Sequence, residues 1–261
     1  MSYKFLNIQR QGTIATLCLD RPACGNALSL ALMQEIIDAV VTFKYDTLTR
    51  VVIFRANGKH FSVGADLKDP ARQDQQEDSD LLHRVHDTQL GRELIESILN
   101  INQITIAAVH GVAAGGATCI ASACDFRVGS DDCIIGYPEV KLGMNLSWGS
   151  LPLCYNLVGP AVAKRMVIGG ELEAATDLLH WGFLDELVSA SSLEQKSLEM
   201  AEFYASRPAM AAQMIKRGLN AIQLAASAGV MHADGDQFAL ASLSDDYRQA
   251  RAEFLAAREK K

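Results

Sequence analysis

Ala107-Ala108-Val109-His110-Gly111-Val112-Ala113-Ala114-Gly115-Gly116-Ala117 is the stretch on which the fold turns. Its beginning completes a run, residues 104–109, that is apolar but for Thr105, of the kind a strand buried on both faces requires. The run passes through small residues into a helix expected over 115–124. The first N–H groups of such a helix lack intrahelical partners and carry the positive end of its dipole, so they suit an oxyanion. The same glycines and alanines equally suit close helix–strand packing.

Outward from this segment, strands and helices alternate. Residues 3–8 and 13–19 are apolar runs separated by Gln11-Gly12, a hairpin signal. Ser29 is placed to cap a helix whose Met33, Ile36, Ile37, Val40 and Val41 share one face. Residues 51–54 read as a buried strand before the turn signal Asn57-Gly58. The polar stretch 69–80 is expected to be a mobile surface loop. It precedes a helix with Leu94, Ile95, Ile98 and Leu99 on its apolar face. Strands are further expected at 126–128 and 133–136. The alternation predicts an α/β fold with parallel pairing, and ligands at the carboxyl ends of the strands.

From Leu151 onward the pattern reads as almost wholly helical, including helices at 161–168, 176–181, 193–205, 208–225 and 245–258, with no further strand expected. The expected organisation is a sheet-containing core over 1–200 and a C-terminal helical region over 201–261, with Arg207-Pro208 as the clearest punctuation.

With 49% apolar and 21% charged residues, the 261-residue chain has the balance of a globular protein. Its net charge of −7 gives no general attraction to nucleic acid or anionic lipid. Residues 1–5 lack the features of a signal peptide, and no apolar run reaches membrane-spanning length, so a cytoplasmic location is expected. The six cysteines form no CxxC pair and have no zinc-like spacing, so reduced and mostly buried thiols are expected, and no metal.

Two more segments carry chemistry. In Lys59-His60-Phe61-Ser62-Val63-Gly64-Ala65-Asp66-Leu67, Gly64 permits close backbone approach and Asp66 can cap the next turn, which leaves the Ala65 N–H free to face a cavity. A tight loop with a conformational glycine reads the same way. In Gly136-Tyr137-Pro138-Glu139-Val140-Lys141-Leu142-Gly143 a carboxylate sits on a turn among apolar residues, where partial burial would raise its pKa into the range useful for acid–base work. A solvated glutamate is the plainer alternative.

Taken in order, these segments, together with Arg21-Pro22, Asn26-Ala27-Leu28, Ala123-Cys124-Asp125 and Lys68, resemble the crotonase, or enoyl-CoA hydratase/isomerase, superfamily over nearly the whole chain. The resemblance implies a crotonase-like spiral of ββα repeats with a C-terminal helical trimerisation region. It also implies a homotrimer or hexamer of trimers, and an acyl-CoA substrate that brings coenzyme A with it, no separate cofactor being needed. The oxyanion hole falls on the N–H groups of Ala65 and Gly116. The coenzyme A contacts fall on backbone at Cys24, Asn26, Val63, Gly64, Ala65, Asp66, Leu67 and Lys68, and on Phe254 lent by a neighbouring subunit.

The chain also departs from that pattern. Cys119 stands where hydratases carry the first of two glutamates, and Glu139 keeps the second. Leu146-Ser147-Trp148-Gly149-Ser150 replaces a glycine-rich run, which makes Trp148 a pocket wall and places Ser147 where some members have an aspartate. Beyond Phe254, Ala257 takes a lysine position with Arg258 beside it. A thiol with a pKa of about 8.5 orients water poorly. The expected reaction is therefore a Δ3,Δ2-enoyl-CoA isomerisation with Glu139 as single acid/base, with 2-enoyl-CoA hydration as the alternative. A nucleophilic Cys119 assisted by His60 or His110, and a non-catalytic acyl-CoA- or RNA-binding protein, complete the alternatives.

Overall fold

The computed structural model describes residues 3–71 and 89–259. The stretch expected as a mobile loop, 69–80, lies from residue 72 onward outside the described residues. Strands β1 (Leu6–Gln11) and β2 (Ile14–Leu19) form the antiparallel hairpin, and β3 (Val51–Ala56) and β4 (Ile104–Val109) extend it in parallel. β5 (Val112–Ala114), β6 (Phe126–Ser130), β7 (Ile134–Gly136), β8 (Glu173–Ala174) and β9 (Glu186–Val188) complete two sheets. The larger has the order β1-β2-β3-β4-β6-β9 and the smaller β5-β7-β8. The chain thus leaves one sheet after β4, adds β5 to the other, and returns at β6, so that turns of the spiral stack.

Helices α1 (Leu30–Phe43), α2 (Gln89–Leu99) and α3 (Gly116–Ala123) cover one side of the larger sheet. The Ser29 hydroxyl accepts from the Leu32 N–H at 3.2 Å, as expected of the α1 cap. The buried stripe of α1 runs Leu32, Met33, Ile36, Ala39, Val40 and Phe43. It is displaced from the expected one, leaving Val41 exposed, because Leu32 and Phe43 complete the core-facing row. Strand alternation divides the packing. Val52, Phe54, Ala107 and Val109 face these helices, whereas Val51, Ile53, Ile104, Ile106, Ala108 and Val128 face α6 (Leu193–Ala205).

Strands do not end at residue 151. β8 pairs with β7, and β9 adds to the edge beside β6. At two and three residues they are too short to show a period of two, and neighbouring strand edges set their conformation. Helix α4 (Ser150–Gly169) begins well before the expected 161, with a break at Gly159 (φ 75°, ψ 170°) before Pro160. After α5 (Ala175–His180), α6 and α7 (Ala209–Ala225), an unanticipated helix α8 (Ala228–Ala241) precedes α9 (Asp245–Glu259).

Helix α7 is tied to the core by polar contacts. The Lys216 ammonium, buried, donates to the Gln103 carbonyl and pairs with Asp125, each at 2.7 Å, and Asn220 donates to the Leu99 carbonyl. Met210, Met214, Ile215, Leu219 and Ile222 on the same helix are exposed. No helix among the described residues is long and apolar enough to cross a membrane.

Candidate active site

The segment 60–66 threads between two neighbours. On one side the Ser62 N–H donates to the Val112 carbonyl and the Ala114 N–H to the Ser62 carbonyl. On the other, Leu28 donates to the Gly64 carbonyl at 2.8 Å and accepts from the Asp66 N–H at 3.0 Å. In such a parallel bridge the residue between the two bonded positions turns its own N–H and C=O away from the partner. The Ala65 N–H therefore points away from Leu28, and Ala65 lines a cavity of about 820 Å³. Gly64 is required at φ 89°, since a Cβ there would come within 2.6 Å of the Ala114 carbonyl oxygen. Asp66 behaves as expected of a turn cap, accepting from the Lys68 N–H at 3.2 Å, and its other oxygen pairs with Arg21 at 3.2 Å.

The second donor comes from the opening stretch. Gly115, at φ 55° and ψ −119°, donates to the Gly136 carbonyl and lets the chain turn sharply from β5 into α3. Gly116 is the first residue of that helix, so its N–H has no intrahelical acceptor and it too lines the cavity. Thr118 fixes the turn by donating to the carbonyls of Ala113 or Gly136, each 2.8 Å away.

Glu139 lies on a 3₁₀ turn, Pro138–Leu142, closed by Gly143 at φ 68°. Its carboxyl approaches Gly115 so closely that a Cβ on the glycine would sit 2.7 Å from Oε1. Oε2 is buried without a hydrogen-bond partner among the described residues. Burial accordingly pushes the carboxyl pKa from 4.5 to about 7.

Cys119, one turn into α3, is buried on the same cavity wall. Burial, and then the charge of Glu139, push its thiol well above the ordinary range, the opposite of what a nucleophile needs. The two histidines are engaged elsewhere: His60 Nδ1 accepts from the Val112 N–H at 3.2 Å, and His110 Nε2 lies 2.9 Å from the Gly58 carbonyl.

Of the residues singled out from sequence, Val63, Gly64, Ala65, Leu67, Gly116, Cys119, Glu139, Ser147 and Trp148 share this cavity. Cys24, Asn26, Asp66 and Lys68 do not line it. Cys24 is exposed, and Asn26 is a staple, with Oδ1 accepting from the Arg21 N–H and Nδ2 donating to the carbonyls of Asn57 and His60, all at 2.8 Å. Phe254 belongs to α9, which lines the cavity at Tyr247, Arg248, Ala250, Arg251 and Glu253, but its side chain lies outside the described structure.

Sequence reading missed Asp234 on α8, whose Oδ2 accepts from the Gly149 N–H at 2.5 Å. The helix that carries it mixes glycine, aspartate and apolar residues without a clear stripe, so no periodic signal exposes it. Asn145 was missed as well. Its Nδ2 donates to the Asp234 carbonyl at 3.2 Å, leaving Oδ1 buried and unpartnered among the described residues.

Comparison with known proteins agrees with this architecture. Residues 9–261 match the family model described as enoyl-CoA hydratase/isomerase. The chain is 29% identical to a "Probable enoyl-CoA hydratase" of Rhizobium meliloti (strain 1021), over 99% of this chain and 97% of that one. It is 32% identical to the "Carnitinyl-CoA dehydratase" of Escherichia coli (strain K12), over 76% and 73%. Among solved structures, an enoyl-CoA hydratase from Bacillus anthracis superposes with a TM-score of 0.78 at 27% identity, covering 98% of this chain and 96% of that one. One from Mycobacterium avium subsp. paratuberculosis K-10 shares the fold with a TM-score of 0.86 at 22% identity, over 98% and 97%. A chain with this spiral, this cavity and this match along nearly its whole length belongs to the enoyl-CoA hydratase/isomerase family of acyl-CoA enzymes.

Proposed function

We propose that this enzyme moves a proton within an enoyl-CoA, as a Δ3,Δ2-enoyl-CoA isomerase does, with Glu139 as its single acid/base. The observation that carries the reading is one buried carboxyl with a pKa of about 7 beside a thiol driven well above its ordinary range. Near neutral pH Glu139 is available both as base and as acid, whereas Cys119 remains a neutral thiol.

The thioester carbonyl would lie between the N–H groups of Ala65 and Gly116. Glu139 as carboxylate takes a proton from C2 of a 3-enoyl thioester. The electron pair delocalises onto the thioester oxygen, and the two N–H groups hold the resulting dienolate. The neutral Glu139 then returns a proton at C4, the double bond settles between C2 and C3, and the carboxylate is regenerated. Each such backbone donor is worth about 10²–10³ in rate, because it stabilises charge that is greater in the transition state than in the ground state. Backbone at Cys24, Asn26 and Val63 to Lys68, and the ring of Phe254, are assigned to the coenzyme A portion, by likeness to the family.

Hydration of a 2-enoyl-CoA is the second reading, and the printed names of the relatives, hydratases and a dehydratase, favour it. Incubation of the enzyme with 3-enoyl- and 2-enoyl-CoA in deuterated water separates the two. The expected product from the 3-enoyl substrate is the 2-enoyl isomer with no water added. Accumulation of a 3-hydroxyacyl product as the sole reaction would overturn the isomerase reading.

The exposed apolar face of α7 also supports assembly into a homotrimer, since five large apolar side chains on one helix are left in water by a single chain.

A further inference from the structure

Trp148 occupies an unusual position for so large a side chain. Its φ is 62°, in the left-handed region that bulky residues avoid, so surrounding structure must enforce it. Its ring lies between two glycines from different helices. A Cβ on Gly116 would collide with the six-membered edge, and a Cβ on Gly91 of α2 would collide with the pyrrole side. Neither glycine has positive φ, so backbone conformation does not demand them. Both make room for the indole.

The enforcing contacts come from α8. Asp234, buried, accepts the Gly149 N–H, and its carbonyl accepts from Asn145 Nδ2, so one residue grips the loop on either side of Trp148. The Met231 side chain closes on Gly149, where a Cβ would come within 2.7 Å. Leu30 and Met33 of α1 and Leu67 line the same cavity as Trp148, as do the cationic Lys141, Arg248 and Arg251 from the 138–142 turn and α9.

We infer that Trp148 is the acyl-chain stop of this enzyme, closing the cavity between Gly116 and Gly91, and that Asp234 is the positioning residue that holds it there. The thioester carbonyl at Gly116 fixes where the acyl chain begins, and the indole packed on that glycine and reaching to Gly91 fixes how far it can run. The substrates it admits are short acyl chains. This rests on the acyl-CoA site proposed above and is independent of whether protons or water are moved.

Calorimetric binding of saturated acyl-CoA thioesters of graded length, which cannot react, tests it. Wild-type affinity is expected to fall by about tenfold or more once the chain exceeds the pocket, the scale on which a hydrophobic pocket discriminates methylenes. Trp148→Ala should bind the longer thioesters at least as tightly as the short ones. Asp234→Ala should relax the length limit partly, whereas Asp234→Asn, which keeps an acceptor for Gly149, should retain it. In a Trp181→Phe background, which leaves Trp148 as the sole indole, short thioesters should change its fluorescence. The same length profile in wild type and Trp148→Ala, with both folded by circular dichroism, would overturn the inference. Failure of every thioester to bind would instead overturn the acyl-CoA site itself.

Discussion

At Glu139 burial has moved the carboxyl to about 7 from 4.5, and the shift has a thermodynamic signature separate from catalysis. A carboxyl whose pKa is raised on folding favours the native state fully below its unfolded pKa. That advantage is lost as pH rises from about 4.5 through about 7, because the native protein retains a proton the unfolded chain releases. Glu139→Gln removes the dependence. Denaturant unfolding should find the variant and wild type similar in stability near pH 4. Near pH 8 the variant should be the more stable, by about 3 kcal/mol. Parallel stability curves at both pH values would show that Glu139 is not buried as a neutral acid. At this scale the sequence was legible for Glu139, Ala65 and Gly116 because short motifs set their backbones. It was silent on Asp234 and Asn145, whose roles depend on a helix more than 80 residues away from the loop they hold.

Among the elements, the β5-to-α3 turn concentrates the demands of the site. Gly115 combines a backbone that only glycine readily adopts with a contact that brings the Glu139 carboxyl against its Cα. Gly115→Ala should cost about 1–3 kcal/mol in unfolding free energy, the usual range for a residue forced into a sparsely populated conformation. It should lower turnover by about 10² or more, since both the first N–H of α3 and Glu139 would shift. Wild-type turnover in a folded Gly115→Ala protein would refute this account of the turn. The strands from β1 to β7 were readable, β5 excepted, as short stretches rich in apolar residues with turn signals between them, whereas β5 read only as small residues leading into α3. β8 and β9 were not, because edge pairing rather than intrinsic pattern makes them. Helix α4 began early for a related reason: Pro152 falls in its first turn, where proline is tolerated, so the start carried no breaker signal.

For the whole molecule, the polar tether and apolar exterior of α7 are what the assembly proposal rests on. Lys216 and Asn220 fasten one side of the helix, while Met210, Met214, Ile215, Leu219 and Ile222 remain in water. Light scattering coupled to gel filtration should give a trimer or a multiple of it for the native protein, and smaller species for a Leu219→Glu, Ile222→Glu double variant. A monomeric wild type at micromolar concentration would contradict the assembly proposal. The family was legible in the sequence over almost the whole chain because backbone-donor motifs tolerate side-chain change. The reaction was less so, because Cys119 removes the residue that distinguishes a two-carboxylate site from a single one.

If one carboxyl, Glu139, carries the proton chemistry beneath donors at Ala65 and Gly116, its removal must show in turnover. Steady-state turnover of 3-enoyl-CoA by Glu139→Gln, on protein shown to be folded and to bind a saturated acyl-CoA as wild type does, tests it most directly. The expected result is a loss of about 10²–10⁴ in kcat, the contribution of a positioned acid–base group; kcat within a few-fold of wild type would rule out Glu139 as the single acid/base.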